Sequence, residues 1–219
     1  HRERSTAGHS LTLHKPLRVY EVKPNYFAVT GTPADCIYVG IHHLLKEPPD
    51  FVVSGINRGA NLATDTYYSG TVAAAREGFL FGFTSIAVSL CIVKKKELEP
   101  GHTPHWTTGS HFLKTLLTHL HNKPPATPQL INVNVPDIEQ SQVKGVRIGS
   151  MGLRHYNKEI VESTDPRGKK YYWIGGGYLD FEKIQGTDCL HVDEGYISVV
   201  PLQIDVTDHS SLKNYKYNK

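Results

Sequence analysis

The apolar positions change period along the chain, and each change marks an element. Between residues 9 and 30, Leu11, Leu13, Leu17, Val19, Val22, Phe27 and Val29 alternate irregularly with polar residues. This pattern predicts extended strands or hairpins, with a turn at Lys23-Pro24-Asn25. From Thr32 the spacing becomes helical, with Ile37, Ile41, Leu44 and Leu45 recurring until Pro48-Pro49. Thr32 as N-cap, Pro33 at the first helical position and Asp35 in the first turn open that helix. Residues 50–54 form a short apolar run of the kind buried on both faces of a parallel sheet. A loop, Gly55–Gly70, then leads into an alanine-rich helix over 71–81, and a second apolar strand follows at 85–90.

A polar stretch, 94–108, reads as a mobile loop. Helical spacing returns over 110–122, with Phe112, Leu116 and Leu120 on one face, and 130–135 is a further strand. Strand, helix, strand, helix, strand in this order predicts right-handed parallel crossovers and a Rossmann-like, three-layer α/β sheet. Beyond Pro136 the texture becomes strand-like at 143–148, 170–174 and 197–202, separated by turn clusters at Asp165-Pro166-Arg167-Gly168 and Gly175-Gly176-Gly177. Residues 1–137 are therefore expected to form the α/β core, and 138–219 a β-rich extension with a projecting hairpin. Such hairpins pair with another subunit, so a homodimer or homotetramer is expected.

Composition narrows the function classes. The 219 residues are 39% hydrophobic and 21% charged, which is ordinary globular usage. The longest apolar stretch, around residues 86–93, falls far short of the roughly 20 residues that span a bilayer, so no membrane role is expected. The formal charge of +3 is carried in short basic patches at 94–96 and 213–219, and the 12 Tyr and 7 Phe are not interleaved with a basic stripe. No nucleic-acid partner is expected. Cys36, Cys91 and Cys189 lie far apart with no CxxC, which points to a reducing, cytoplasmic compartment.

The densest chemistry lies between Val53 and Val72. A glycine-rich loop leaves the carboxyl end of a buried parallel strand, the edge where open α/β sheets bind ligands. It enters a helix through Ser69-Gly70-Thr71, which offers unpaired amides, a positive dipole end and two hydroxyls. Gly70 would let a phosphate approach the backbone closely. An ordinary serine-capped helix has the same pattern. Asn57, Arg58 and Asn61 add a neutral oxygen ligand, a cation and a further amide, although Asn61 also suits simple turn chemistry. There is no Walker A loop, dinucleotide fingerprint, HExxH or nucleophile elbow.

At this loop the chain resembles the SurE family of metal-dependent nucleotide phosphatases. The resemblance is carried by Val53-Ser-Gly-Ile-Asn-Arg-Gly-Ala-Asn61, Tyr68-Ser-Gly-Thr-Val-Ala-Ala-Ala-Arg-Glu-Gly78 and Ile86-Ala-Val-Ser-Leu90. Blocks at 4–13, 31–36, 131–136, 165–168 and 188–202 follow in the family's order. The resemblance implies hydrolysis of nucleoside 5′- and 3′-monophosphates with one divalent cation, Mg²⁺ or Mn²⁺. It implies Ser5 and Asn57 as cation ligands, with Arg58, Asn61, Ser69, Gly70 and Thr71 toward the phosphate. The family's Asn-Asp-Asp-Gly motif does not occur, and its first strand–helix unit would precede His1. Two neutral oxygens leave a divalent ion uncompensated, so this chain is expected to bind metal poorly. Without the central strand, exposed apolar faces and unpaired edges should make a free monomer unstable. The alternative to the enzyme is a non-catalytic oligomeric nucleotide- or phosphate-binding protein.

Overall fold

The structure, a computed structural model, describes residues 8–92 and 102–215. The first described element is an antiparallel hairpin, β1 (Val19–Lys23) and β2 (Tyr26–Val29), turned at Pro24-Asn25 as the sequence predicts. Helix α1 (Pro33–Val39) starts with a complete capping box. The Asp35 amide donates to Thr32 Oγ1 at 3.1 Å, and the Thr32 amide donates to Asp35 Oδ2 at 2.7 Å. At Gly40 the helix widens into a π-turn that ends at Leu44, short of Pro48.

The centre is a five-stranded sheet built from β3 (Val52–Arg58), β4 (Ser85–Cys91), β5 (Leu130–Pro136), β6 (Val146–Ile148) and β11 (Ile197–Leu202). Their spatial order is β3-β4-β5-β11-β6. β3, β4 and β5 are parallel as expected, but β11 runs antiparallel to β5 and β6 lies parallel to β11. The fold is a Rossmann-like α/β sheet of mixed direction. β6 and β11 lie beyond residue 137 and yet complete the central sheet, so the sheet crosses the expected boundary. What stands apart is the stretch from about 150 to 186. It holds β7 (Arg154–Tyr156) paired with β10 (Tyr178–Phe181), and the hairpin of β8 (Ile160–Thr164) and β9 (Lys170–Ile174). Asp165 forms the hairpin turn by accepting the Arg167 and Lys169 amides on Oδ1, each at 2.8 Å.

Helices cover the sheet on both faces. Helix α3 (Trp106–Asn122) lays Phe112, Leu113, Leu116, Leu117 and Leu120 over Ile86, Val88, Leu90, Ile131, Val133 and Val135. It begins four residues before the predicted start at 110. On the other face, α2 (Gly70–Leu80) packs Val72 and Ala75 against Ala87 and Leu130. Helix α4 (Asp188–Asp193), too short to carry a readable stripe, packs on β5 and β11. Among the described residues no helix is long and apolar enough to cross a membrane.

Candidate active site at the carboxyl edge of the sheet

β3 is longer than predicted. A bulge between Ser54 and Asn57 lets the pairing with β4 resume at Asn57 opposite Ser89. Gly55 makes this possible: at φ +125° its Cβ would lie 2.3 Å from the Val88 carbonyl oxygen, so any side chain is excluded. Asn57 then stands half-buried at the end of the strand. Its Nδ2 donates to the Gly59 carbonyl at 2.9 Å, which fixes the amide plane and leaves Oδ1 without a donor among the described residues. Arg58 follows, exposed.

The loop from Gly59 to Ser69 is fastened to the sheet. Its first anchor is the Gly59 amide, 2.9 Å from the Leu90 carbonyl. Asn61, only 6% exposed, donates from its amide nitrogen to Asn134 Oδ1 (2.9 Å) and from Nδ2 to Ser89 Oγ (2.7 Å). Its carbonyl accepts from Asn132 Nδ2 and Asn134 Nδ2, both at 2.9 Å. Further along, the Ala63 amide donates to Asp188 Oδ2 at 2.8 Å, and Asp65 receives Arg154 Nη1 and the Tyr156 hydroxyl. Asn61 is thus the pin of the loop, joined to the sheet through its backbone and its Nδ2.

The loop delivers Ser69 as N-cap of α2. Ser69 Oγ accepts the Val72 amide at 3.1 Å, and the Ala73 amide bonds the Ser69 carbonyl at 3.0 Å. The Gly70 and Thr71 amides are left without an acceptor among the described residues, and Thr71 is half-buried. Gly70 itself is explained differently from the sequence reading. A Cβ there would meet Pro33 Cγ at 2.9 Å, so the glycine is required by the packing of α1 on α2.

Ser5 lies outside the described residues. At Gly8, the first described residue, the amide donates to the Tyr68 carbonyl at 3.0 Å, next to Ser69. The Thr12 amide and hydroxyl reach the Asp35 carboxylate at 2.8 and 2.6 Å. Burial would raise the Asp35 pKa, but the Thr12 and Thr32 hydrogen bonds together hold it below the ordinary carboxylate value.

Asn57, Arg58, the α2 entrance and the Gly8 segment thus share one edge of the sheet, and Asn61 supports it from beneath. Sequence reasoning missed Ser89, Asn132 and Asn134, which hold Asn61. Their signal was two asparagines alternating with apolar residues in Ile131-Asn-Val-Asn-Val135.

The chain is similar to known proteins. A family model described as Survival protein SurE matches residues 1–158. The 5′-nucleotidase SurE of Geobacter sulfurreducens is 47% identical over 211 residues, covering 96% of this chain and 78% of the relative. The 5′-nucleotidase SurE of Pseudoalteromonas atlantica is 40% identical over 213 residues, covering 97% and 82%. Among solved structures, the SurE protein from Aquifex aeolicus is similar with a TM-score of 0.80 and 33% identity, over 96% of this chain and 82% of that one. On the family model and these relatives together, the chain belongs to the SurE family.

Proposed function

We propose that the protein is a phosphomonoesterase that releases phosphate from nucleoside 5′-monophosphates, and from 3′-monophosphates as well. The observation that carries this reading is the α2 entrance. Two unpaired amides and the Ser69 and Thr71 hydroxyls stand at a sheet edge whose loop is pinned by a buried amide network. Such donors hold the equatorial phosphate oxygens and stabilise the charge they carry during transfer. Arg58 supplies a cation beside them, and water attacks phosphorus in line. The two curated relatives are nucleotidases by name, which lends the enzyme reading support and the non-catalytic one none.

The cation is a separate question. Asn57 Oδ1 is a fitting hard oxygen donor, but it is neutral. Among the described residues no three His, Cys, Asp or Glu side chains cluster to hold a metal. This donor set does not hold a divalent ion unaided. One Mg²⁺ or Mn²⁺ on Ser5 and Asn57 stays a proposal drawn from the family.

We further propose assembly into a homodimer or homotetramer through the β8–β9 hairpin, where Ile160, Trp173 and Ile174 are 69%, 65% and 93% exposed. The three free thiols fit a cytoplasmic setting.

The test is phosphate release from nucleoside 5′- and 3′-monophosphates by the protein and by Thr71→Val, which removes one hydroxyl donor of the α2 entrance. The expected result is a loss of about 100-fold in the variant with an unchanged melting temperature. An unaffected Thr71→Val would remove the α2 entrance from the reaction. EDTA, followed by Mn²⁺ or Mg²⁺, reports independently on the cation.

A further inference from the structure

The stretch that stands apart from the central sheet is fastened to the loop that delivers Ser69. Arg154 Nη1 and the Tyr156 hydroxyl, both on β7, donate to Asp65 Oδ2, the hydroxyl at 2.6 Å. The ion pair is sheltered, with the Arg154 side chain 14% exposed and that of Asp65 21%. Tyr178 on β10 lies against the guanidinium, its ring centre 4.1 Å from Arg154 Cζ, and meets the Tyr156 ring edge-on. Held between a ring and a carboxylate, the Arg154 fork keeps one orientation. Burial first, and the Asp65 hydrogen bond second, raise the Tyr156 pKa above its ordinary value, so the hydroxyl stays a donor.

A second tie joins the same partners. Asp188, fully buried, accepts the Ala63 amide on Oδ2 at 2.8 Å and the Gly152 amide on Oδ1 at 2.7 Å. Phe181 of β10 packs against the cluster of Leu62, Ala63, Cys91 and Cys189. The loop needs this support. Ala63 stands at φ +51°, in the left-handed region that a Cβ disfavours, so the 3₁₀ turn Ala63–Tyr67 that it opens is held by its surroundings. From Asp65 the path to the phosphate donors is short and runs along the main chain. The Asp65 carbonyl accepts the Tyr68 amide at 3.0 Å, Tyr68 precedes Ser69, and Ser69 Oγ caps α2 by accepting the Val72 amide. A shift of Asp65 therefore moves the turn that sets Ser69, Gly70 and Thr71.

Resting on the phosphomonoesterase reading above, we propose that Arg154 and Tyr156 are positioning residues for the phosphate donors of α2, acting through Asp65. In that role neither contacts the substrate. They hold the α2 entrance where the phosphoryl oxygens gather charge. Preorganised donors lose their effect when displaced, and a shift near 1 Å costs on the order of 100-fold in rate. Because the tie acts on the phosphate end, it serves every phosphomonoester alike, whatever group leaves.

The experiment measures kcat and KM per folded molecule for a nucleoside 5′-monophosphate and for p-nitrophenyl phosphate. Inhibition by orthovanadate, a mimic of the phosphoryl group in transfer, is measured alongside. Tyr156→Phe removes one hydroxyl and keeps the ring beside Tyr178, while Arg154→Met removes the charge and keeps an apolar stem. The expected result is a fall in kcat of about 100-fold for Arg154→Met and a smaller fall for Tyr156→Phe. Both falls should be equal on the two esters, with KM little changed and vanadate inhibition weakened in step. Arg154→Lys, which restores the charge without the fork, should recover part of the loss. A lower melting temperature with kcat unchanged would make the tie merely structural and overturn the inference. A loss confined to the nucleotide would place Arg154 and Tyr156 against the nucleoside and overturn it too. Should Arg154→Met fail to fold, Tyr156→Phe decides alone. An unaltered protein that hydrolyses neither ester overturns the parent reading and this one with it, whereas an active protein with unaffected variants overturns this one only.

Discussion

The two faces of the central sheet are built from alternate residues of the same strands, and they have opposite characters. Toward α3, Ile86, Val88, Leu90, Ile131, Val133 and Val135 form a continuous apolar layer. Toward α2 and α4 the intervening positions include Ser85, Ala87, Ser89, Asn132, Asn134 and Ser198, all fully buried. Burying amides and hydroxyls is unfavourable unless they are paired. Here Ser89, Asn132 and Asn134 are paired largely with the single residue Asn61, whereas Asn132 Oδ1, Ser198 Oγ and His191 Nδ1 have no partner among the described residues. One face supplies hydrophobic stability. The other gives up some of it to hold a loop in one position.

This division predicts that the faces fail differently. On the apolar side, Ile86 lies at the start of β4, far along the strand from the candidate edge, and is fully buried. Ile86→Ala removes buried methyl groups and leaves a cavity, a loss of about 3 kcal/mol. Denaturant unfolding should show that loss, while phosphate release per folded molecule stays unchanged. A drop in specific activity without a drop in stability would break the comparison.

The polar side should show the reverse. Asn134→Ala takes one acceptor from the Asn61 amide and one donor from its carbonyl, leaving buried backbone groups poorly satisfied at about 1–3 kcal/mol. The larger effect is on position. Asn57 and Ser69 lie at the two ends of the loop that Asn61 pins, and a displacement near 1 Å costs on the order of 100-fold in rate. Equal stability losses in Ile86→Ala and Asn134→Ala, with activity lost only in the second, would sharpen the comparison.

These differences were unequally legible in the sequence. The capped start of α1, the Pro24-Asn25 turn and the parallel β3, β4 and β5 are written locally, in caps, turn residues and apolar runs, and all of them appear in the structure. The antiparallel insertion of β11 is a pairing between residues 64 to 72 positions apart, which no local pattern specifies. α4 has six residues, less than two turns, so its apolar spacing cannot repeat. The packing reason for a glycine at 70 was not legible, because the neighbour that demands it, Pro33, lies on another helix. Asn61 has the sequence signature of both a turn residue and a substrate amide; its part in pinning the loop depends on Ser89, Asn132 and Asn134, which lie on other strands. The meeting of Arg154 and Tyr156 with Asp65 depends on β7 folding back onto the loop.

The smallest expected effect follows from a titratable group on the polar face. His191 is 4% exposed on α4, and its ring lies 2.6 Å from where a Gly149 Cβ would stand. Burial first, and the Arg147 charge second, lower its pKa below 6.5. The folded protein therefore keeps His191 neutral, while the unfolded chain takes up a proton more readily. Its contribution to stability is complete above the unfolded value near 6.5 and is lost as the pH falls below it toward the lower folded pKa. Asp35, whose pKa is lowered from 3.8, keeps its contribution above that pH, so it does not change between pH 7.5 and pH 5. Between about pH 7.5 and pH 5, the melting temperature of the unaltered protein should thus fall more than that of His191→Gln, which has no titrating ring. Equal slopes for the two proteins would mean that His191 gains a proton partner on acidification, and that the polar face is less closed than its burial implies.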